Sequence, residues 1–401
     1  MTAFVTSSKL QQLADRSVGN KKELVFPKVV SSIYDVEEGT LFVAKKDSRY
    51  DGHQFIEAAV ESGAAGALWH LDEPVPATLP DDFPLFMSLD PEGLCRELAV
   101  QYLNDHRADI VFVEGDYTAS ILLRVLKAWT GGRRTAFIKE QESRGTETAE
   151  IVLSLDIDTE IVFIEAVESS VRMHERASLL QPDIALISYY RGKSLEEADI
   201  LEGMKETIRI SVNPPMPASQ GLNIPPWIES YRPLLEAASQ VYRMTTENTD
   251  APVDLLTPET FGYQTLNTKA EGLVLFEAEA MEQADLDYAL GWLSHIQPYE
   301  RRILVIDEGF QADRTHKSVH ELFAEHITTA VTDVFSVGEK AFWVHDALQR
   351  SGREDLISRY YKTHIEAVED LREAMNGPNV MLYKGANRAL IYEILHELNR
   401  E

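Results

Sequence analysis

A chain of 401 residues with 44% hydrophobic content carries enough apolar material for two or three cores, while no apolar run approaches the roughly 18 residues of a membrane span. A formal net charge of -28, from 66 acidic against 38 basic side chains, argues against nucleic acid as a partner, because phosphate backbones demand clustered Lys and Arg. The single cysteine, Cys95, excludes an internal disulfide, and with an N-terminus lacking a charged-then-apolar signal pattern it points to a cytoplasmic chain without membrane insertion.

Taken in order, the chain changes rhythm twice, which predicts three sections at 1–106, 107–271 and 272–401. The first predicts a strand over 40–44, a helix over 54–62 and a strand over 65–69, a small α/β unit. The second opens with a strand over 110–113, a turn containing Gly115 and a helix over 120–129. It continues with a strand over 160–164, a helix over 170–180 and a strand over 184–189. A Pro-rich stretch at 213–226 then leads to a helix over 228–243. The third section predicts a strand over 273–276, a helix over 284–295, a strand over 302–306, and further alternation to a last helix over 388–401. Alternating strands and helices imply a mostly parallel sheet with ligands at the C-terminal strand ends. No internal repeat, heptad array or low-complexity tract is present.

The segment from Asp109 to Ser120, DIVFVEGDYTAS, has the strand-loop-helix frame of a phosphate loop without its chemistry. Such a loop needs glycines so that backbone N–H groups close on phosphates, a lysine for the terminal phosphates and a hydroxyl for magnesium. Only Gly115 and the Ser120 hydroxyl answer to that description. Glu114 and Asp116 add negative charge where a triphosphate would sit. Elsewhere there is no Cys/His set with zinc spacing, no G-x-S-x-G elbow and no G-x-G-x-x-G after a strand.

The order of the pieces resembles the Mur ligase family, most closely the branch that adds the last dipeptide to the peptidoglycan precursor. Gly39-Thr40-Leu41-Phe42-Val43-Ala44, Asp51-Gly52-His53 and Gly63-Ala64 are similar to the family's G-D-L-F-V-A, D-G-H and G-A signatures. The resemblance implies three α/β domains: an N-terminal one for the UDP substrate, a central P-loop-type one with a mostly parallel sheet for ATP, and a Rossmann-like C-terminal one. It also implies ligation through an acyl-phosphate formed from ATP and attacked by an amine.

Carried over residue by residue, the resemblance marks what is missing. The family's T-G-[ST]-N-G-K-T-T falls on Glu114, Gly115, Asp116, Tyr117, Thr118, Ala119, Ser120 and Ile121, so Ala119 stands at the lysine and Thr118 at the second glycine. One lost charge-assisted hydrogen bond costs roughly 1.5–3 kcal/mol. Glu165 matches the magnesium-holding glutamate, Lys205 the lysine that the family carbamylates, and His320 a downstream histidine. Ser120 and Glu165 are thus the metal candidates. The family's D-D-x-Y-N-A-N-P aligns on 276–283 with its asparagines and proline gone. Lys384-Gly385-Ala386-Asn387-Arg388 resembles its K-G-S-R turn, which makes Asp51, Gly52, His53, Lys384 and Arg388 the substrate-binding candidates. At Ser32-Ile33-Tyr34 the family's D-S-R is absent.

Two readings follow. In the first, the scaffold has lost ATP-dependent ligation, needs no cofactor, and binds a protein partner or a ligand of nucleotide-sugar or peptide type. In the second, it remains an ATP- and Mg2+-dependent amide ligase whose nucleotide is held by other cations, such as Lys384, Lys205 or the Arg133-Arg134 pair.

Overall fold

The computed structural model describes residues 5–19, 22–46, 51–106, 108–115, 117–138, 148–167, 177, 179–188, 208–212, 222–246, 248–277, 283–307, 317–385 and 388–398. Asp116, Lys205, Ala386, Asn387, most of the predicted 170–180 helix and most of the Pro-rich stretch lie outside the described residues.

The first section contains β1 (Val5–Thr6), α1 (Ser7–Leu13), β2 (Arg16–Val18), β3 (Val25–Phe26), β4 (Val29–Val30), β5 (Leu41–Val43), α2 (Ile56–Glu61), β6 (Gly66–His70), β7 (Leu85–Ser88) and α3 (Pro91–Asp105). Its five-stranded sheet has the order β2-β7-β6-β5-β4. β5 and β6 pair in parallel because α2 crosses between them, and β2 joins β7 antiparallel. The predicted 54–62 helix divides: a 3-10 turn, Gly52–Phe55, precedes α2. α3 starts where Asp90 accepts the Gly93 N–H at 2.7 Å and Pro91 supplies a preset φ, so the D-P pair acts as a start signal.

The second section contributes β8 (Asp109–Gly115), α4 (Tyr117–Thr130), β9 (Thr135–Ile138), α5 (Thr148–Leu153), β10 (Ile161–Val167), β11 (Ile184–Ser188), β12 (Ile208–Val212), α6 (Arg232–Thr246) and β13 (Gln264–Asn267). The sheet order is β12-β11-β8-β10-β9, with β8 in the middle and parallel to β10. Residues 110–113 and 161–164 are unbroken apolar runs and are buried throughout, as strands covered on both faces must be. α4 begins three residues earlier than the expected 120, so Tyr117, Thr118 and Ala119 are helical rather than part of a loop. The helix expected over 228–243 begins instead as a 3-10 turn, Pro226–Tyr231, before α6.

The third section contains β14 (Leu273–Glu277), α7 (Gln283–His295), β15 (Arg302–Ile306), α8 (Lys317–His326), β16 (Asp333–Val337), α9 (Phe342–Ser351), β17 (Ile357–Tyr361), α10 (His364–Ala374), β18 (Val380–Lys384) and α11 (Arg388–Leu398). The sheet runs β13-β14-β18-β15-β16-β17, all parallel in the pairs from β14 to β17, with β13 antiparallel at one edge. Alternate residues Ile303, Val305, Phe335, Val337, Met381 and Tyr383 meet Ala367 and Leu371 of α10 and Leu390, Ile391 and Ile394 of α11 in one core.

By compactness the chain divides into two units. One comprises Met1–Gly115, Thr130–Ile187 and Ser194–Ile210; the other comprises Asp116–Trp129, Ser188–Lys193 and Ser211–Glu401. Among the described residues no helix is long and apolar enough to cross a membrane.

Candidate functional site

Three places carry the residues singled out by the sequence. The first is the β8–α4 junction. β8 ends at Gly115 and α4 begins at Tyr117, leaving one intervening position, Asp116, which lies outside the described residues. Ala119 has no exposed surface. Thr118 is 1% exposed; its hydroxyl donates to the Ser188 carbonyl at 3.1 Å and also bonds the Ser188 hydroxyl. Tyr117 and Ser120 are half-buried. No Lys or Arg occurs between Asp109 and Ile121.

Glu114 and Glu165 are both buried carboxylates. Paired residues of parallel strands share a face, and Glu165 is in register with Val113 while Glu114 is in register with Ala166. The two glutamates therefore face opposite sides of the sheet and do not converge on one cation. Arg133 and Arg134 precede β9, which is parallel to β10, so they sit at the N-terminal end of the sheet, away from the Gly115 end. They pair there with Glu160 at 3.8 Å and Asp158 at 2.8 Å. This corrects their candidacy as phosphate-holding cations.

The second place is the Asp51-Gly52-His53 turn. Asp51 caps the 3-10 turn by accepting the His53 N–H at 3.1 Å, and it lies 2.8 Å from His53 Nδ1. The other ring nitrogen, Nε2, accepts the His70 N–H at 3.3 Å, so the tautomer consistent with both bonds carries its proton on Nδ1. The ring also meets Trp69 edge-on at 4.4 Å. A Cβ on Gly52 would stand 2.8 Å from the Lys45 carbonyl oxygen, so the turn admits only glycine there. Sequence reasoning missed the two flanking residues, Lys46 and Glu73. Lys46 bridges Glu73 at 2.5 Å and Asp51 at 3.4 Å. Burial opposes ionisation of Asp51, but hydrogen bonds from the His53 side chain and backbone, with the Lys46 charge, hold its carboxyl below the usual range. The Lys46 hydrogen bond likewise lowers Glu73, against a smaller burial effect. Asp51, His53 and Glu73 present ligand atoms within 4.8 Å of one another, as a metal site would. The Lys46 ammonium already bridges both carboxylates of that cluster, and both ring nitrogens are engaged.

The third place is the C-terminal end of the third sheet. Lys384 closes β18 at 2% exposure with its ammonium 5.1 Å from the Tyr263 ring centroid, a cation–π geometry. Asp307, also 2% exposed, accepts the Tyr383 hydroxyl, and its N–H donates to the Lys384 carbonyl at 3.2 Å. A Cβ on Gly385 would lie 2.0 Å from the Asp307 carboxylate, so the glycine is there to let the carboxylate lie against the backbone. Arg388 is the first residue of α11. His320, in α8, is fully buried and packs edge-on against Trp343 at 5.1 Å, which makes it a core residue rather than one facing a ligand.

Comparison with known proteins gives a consistent answer. No family model matches the chain. The UDP-N-acetylmuramoyl-tripeptide--D-alanyl-D-alanine ligase of Bacillus subtilis is 24% identical over 191 residues, 46% of this chain and 40% of that protein. A UDP-N-acetylmuramoyl-L-alanyl-D-glutamate--2,6-diaminopimelate ligase of Chlorobium phaeobacteroides is 31% identical over 127 residues, 30% of this chain. The matched parts thus span 40% and 24% of those relatives' lengths. The fold likeness is broader. A MurF ligase of Thermotoga maritima, solved in complex with ADP, superposes with a TM-score of 0.64 over 92% of this chain and 96% of its own, at 16% identity. The corresponding ligase of Acinetobacter baumannii gives 0.64 over 97% of this chain and 98% of its own, at 13% identity. Over nearly the whole chain the fold is that of these ligases, and over part of it the sequence is similar to theirs.

Proposed function

We propose that this protein has given up ATP-dependent amide ligation. On this reading it acts as a binding, scaffold or regulatory partner in cell-envelope or peptide biosynthesis, for a protein or a ligand of nucleotide-sugar or peptide type. The observation that carries the reading is the β8–α4 junction, where a helix begins at Tyr117 and Ala119 is fully buried. A phosphate loop wraps its anion with several open backbone N–H groups and a lysine. Here one residue separates strand from helix, the Thr118 hydroxyl is spent on Ser188, and the adjacent Glu114 carboxylate is buried. The residues present do not fit a magnesium triphosphate, and no step of ligation is assigned to them. Titration calorimetry with ATP and Mg2+ tests this: no binding heat is expected at millimolar nucleotide, and tight stoichiometric binding would overturn the proposal.

The alternative is an active ligase with a rewired nucleotide site. The buried Lys384 ammonium at the C-terminal end of a parallel sheet, where α/β folds place their ligands, favours it. Amide product accumulating at the expense of ATP in purified protein would establish that alternative.

A further inference from the structure

The first sheet has an edge strand, β4, and the central section supplies what covers it. Between β9 and β10 the chain forms α5, and one of its side chains, Glu150, with that of Ser154 just after it, meets the first section. Glu150, 2% exposed, accepts the Ser31 N–H at 2.9 Å and the Ser31 hydroxyl at 3.1 Å. The Ser154 hydroxyl accepts the Val29 N–H at 3.2 Å and donates its proton to the Glu150 carbonyl at 2.8 Å, with the Val29 carbonyl 3.4 Å away. Val29 pairs with Leu41 and Val30 with Phe42 on the other side of β4, so the backbone groups turned away from the sheet at 29 and 31 are met by side chains of a helix instead of by a strand. Two residues further on, the Tyr102 hydroxyl of α3 donates to the Asp156 carbonyl at 3.0 Å, and α3 packs along α5.

These bonds are a side-chain imitation of a β-ladder, and most of their partners are buried. Removing Glu150 would take two charge-assisted hydrogen bonds from the buried Ser31 N–H and hydroxyl, each worth more than a neutral one. The division into compact units agrees: the first sheet and the β8–β10 strands fall in the same unit.

We infer that residues 148–156 form a strap that bolts the first α/β section to the central sheet, so that the two open and close as one body. The strap works whether or not ligation is retained, because none of its residues belongs to the β8–α4 junction. Any hinge that this chain uses lies elsewhere.

Native-state hydrogen exchange of the full chain in rising urea tests the strap. In the wild type, amides of β5 and β6 are expected to open with the same denaturant dependence as those of β8 and β10. In Glu150→Ala combined with Ser154→Ala, the β5 and β6 amides should exchange at least about tenfold faster than those of β8 and β10, since lost charge-assisted hydrogen bonds are worth more than one decade. Glu150→Gln, whose amide oxygen still accepts both Ser31 bonds, should behave as wild type. Separate opening of the two sheets in the wild type would overturn the inference without any variant. Unchanged joint opening in the double variant would overturn it as well.

Discussion

At the scale of single residues, small side chains decide what the inherited positions can do. Ala119, which the sequence resemblance sets against the family's lysine, has no exposed surface and lies in the first turn of a helix. Ala119→Lys should therefore produce no ATP turnover and should destabilise the protein by at least about 2 kcal/mol, the cost of overpacking a filled site and desolvating an ammonium. Urea unfolding with a parallel phosphate-release assay checks both halves, and turnover gained from this one change would show that the junction still holds a triphosphate. Gly385→Ala makes the matching test in the third section. Its methyl would collide with the Asp307 carboxylate that Tyr383 holds, so a loss of about 1–3 kcal/mol is expected. His53→Ala should cost about 1–3 kcal/mol through the His70 N–H and the Asp51 carboxylate it abandons. That loss should appear in the first sheet's thermal transition in the absence of any ligand, because the turn is held by protein groups alone.

At the scale of elements, the buried parallel strands were the legible part of the chain. Strands at 110–113, 160–164, 184–189, 273–276 and 302–306 were read within a few residues because a strand covered on both faces needs an unbroken apolar run. β1 to β4 were missed, since two or three residues show no period. The start of α4 was misplaced because the family frame suggests a loop there, whereas the Thr118–Ser188 bond and the burial of Ala119 that favour helix are tertiary and invisible in sequence. The same limit hid Glu73, which reaches the Asp51-Gly52-His53 turn from 20 positions beyond His53 with no fixed spacing. His320 matched a family position, yet only packing against Trp343 reveals it as core. One junction of elements carries a pH signature. His345 on α9 bonds Ser358 of β17 at 2.8 Å through Nδ1, and burial holds its pKa below the ordinary histidine value despite Asp346 nearby. The unfolded chain, titrating near about 6.5, then binds the proton more readily than the folded one. The contribution of this histidine to stability is thus full above about pH 6.5 and is lost as pH falls through the lower folded value. Between pH 7.5 and 5.5 the wild type should lose more urea stability than His345→Gln, which retains a partner for Ser358. Equal losses would remove His345 as the cause.

At the scale of the whole molecule, 66 acidic against 38 basic side chains leave a field that opposes compaction and repels anions. Two salt effects compete. Exposed pairs such as Arg134–Asp158 and Lys28–Glu37 weaken as ions screen them, but each is worth only about 0–1 kcal/mol at best. Repulsion among the excess carboxylates is summed over the whole surface and is relieved by the same ions, as the Debye length falls from about 30 Å at 0.01 M to about 10 Å at 0.1 M. The long-range sum should win, so the midpoint of thermal unfolding should rise by a few degrees between 10 and 200 mM NaCl. Sodium chloride is the right salt for the measurement, because sulfate would also strengthen apolar burial and confuse the two causes. A midpoint that falls over this range would mean that local pairs, the Lys46 bridge and the Arg301–Asp333 contact among them, outweigh the net charge. The same titration bears on partners: a basic protein segment drawn by this field should bind more weakly as salt rises, while a docking surface built on apolar contact should not.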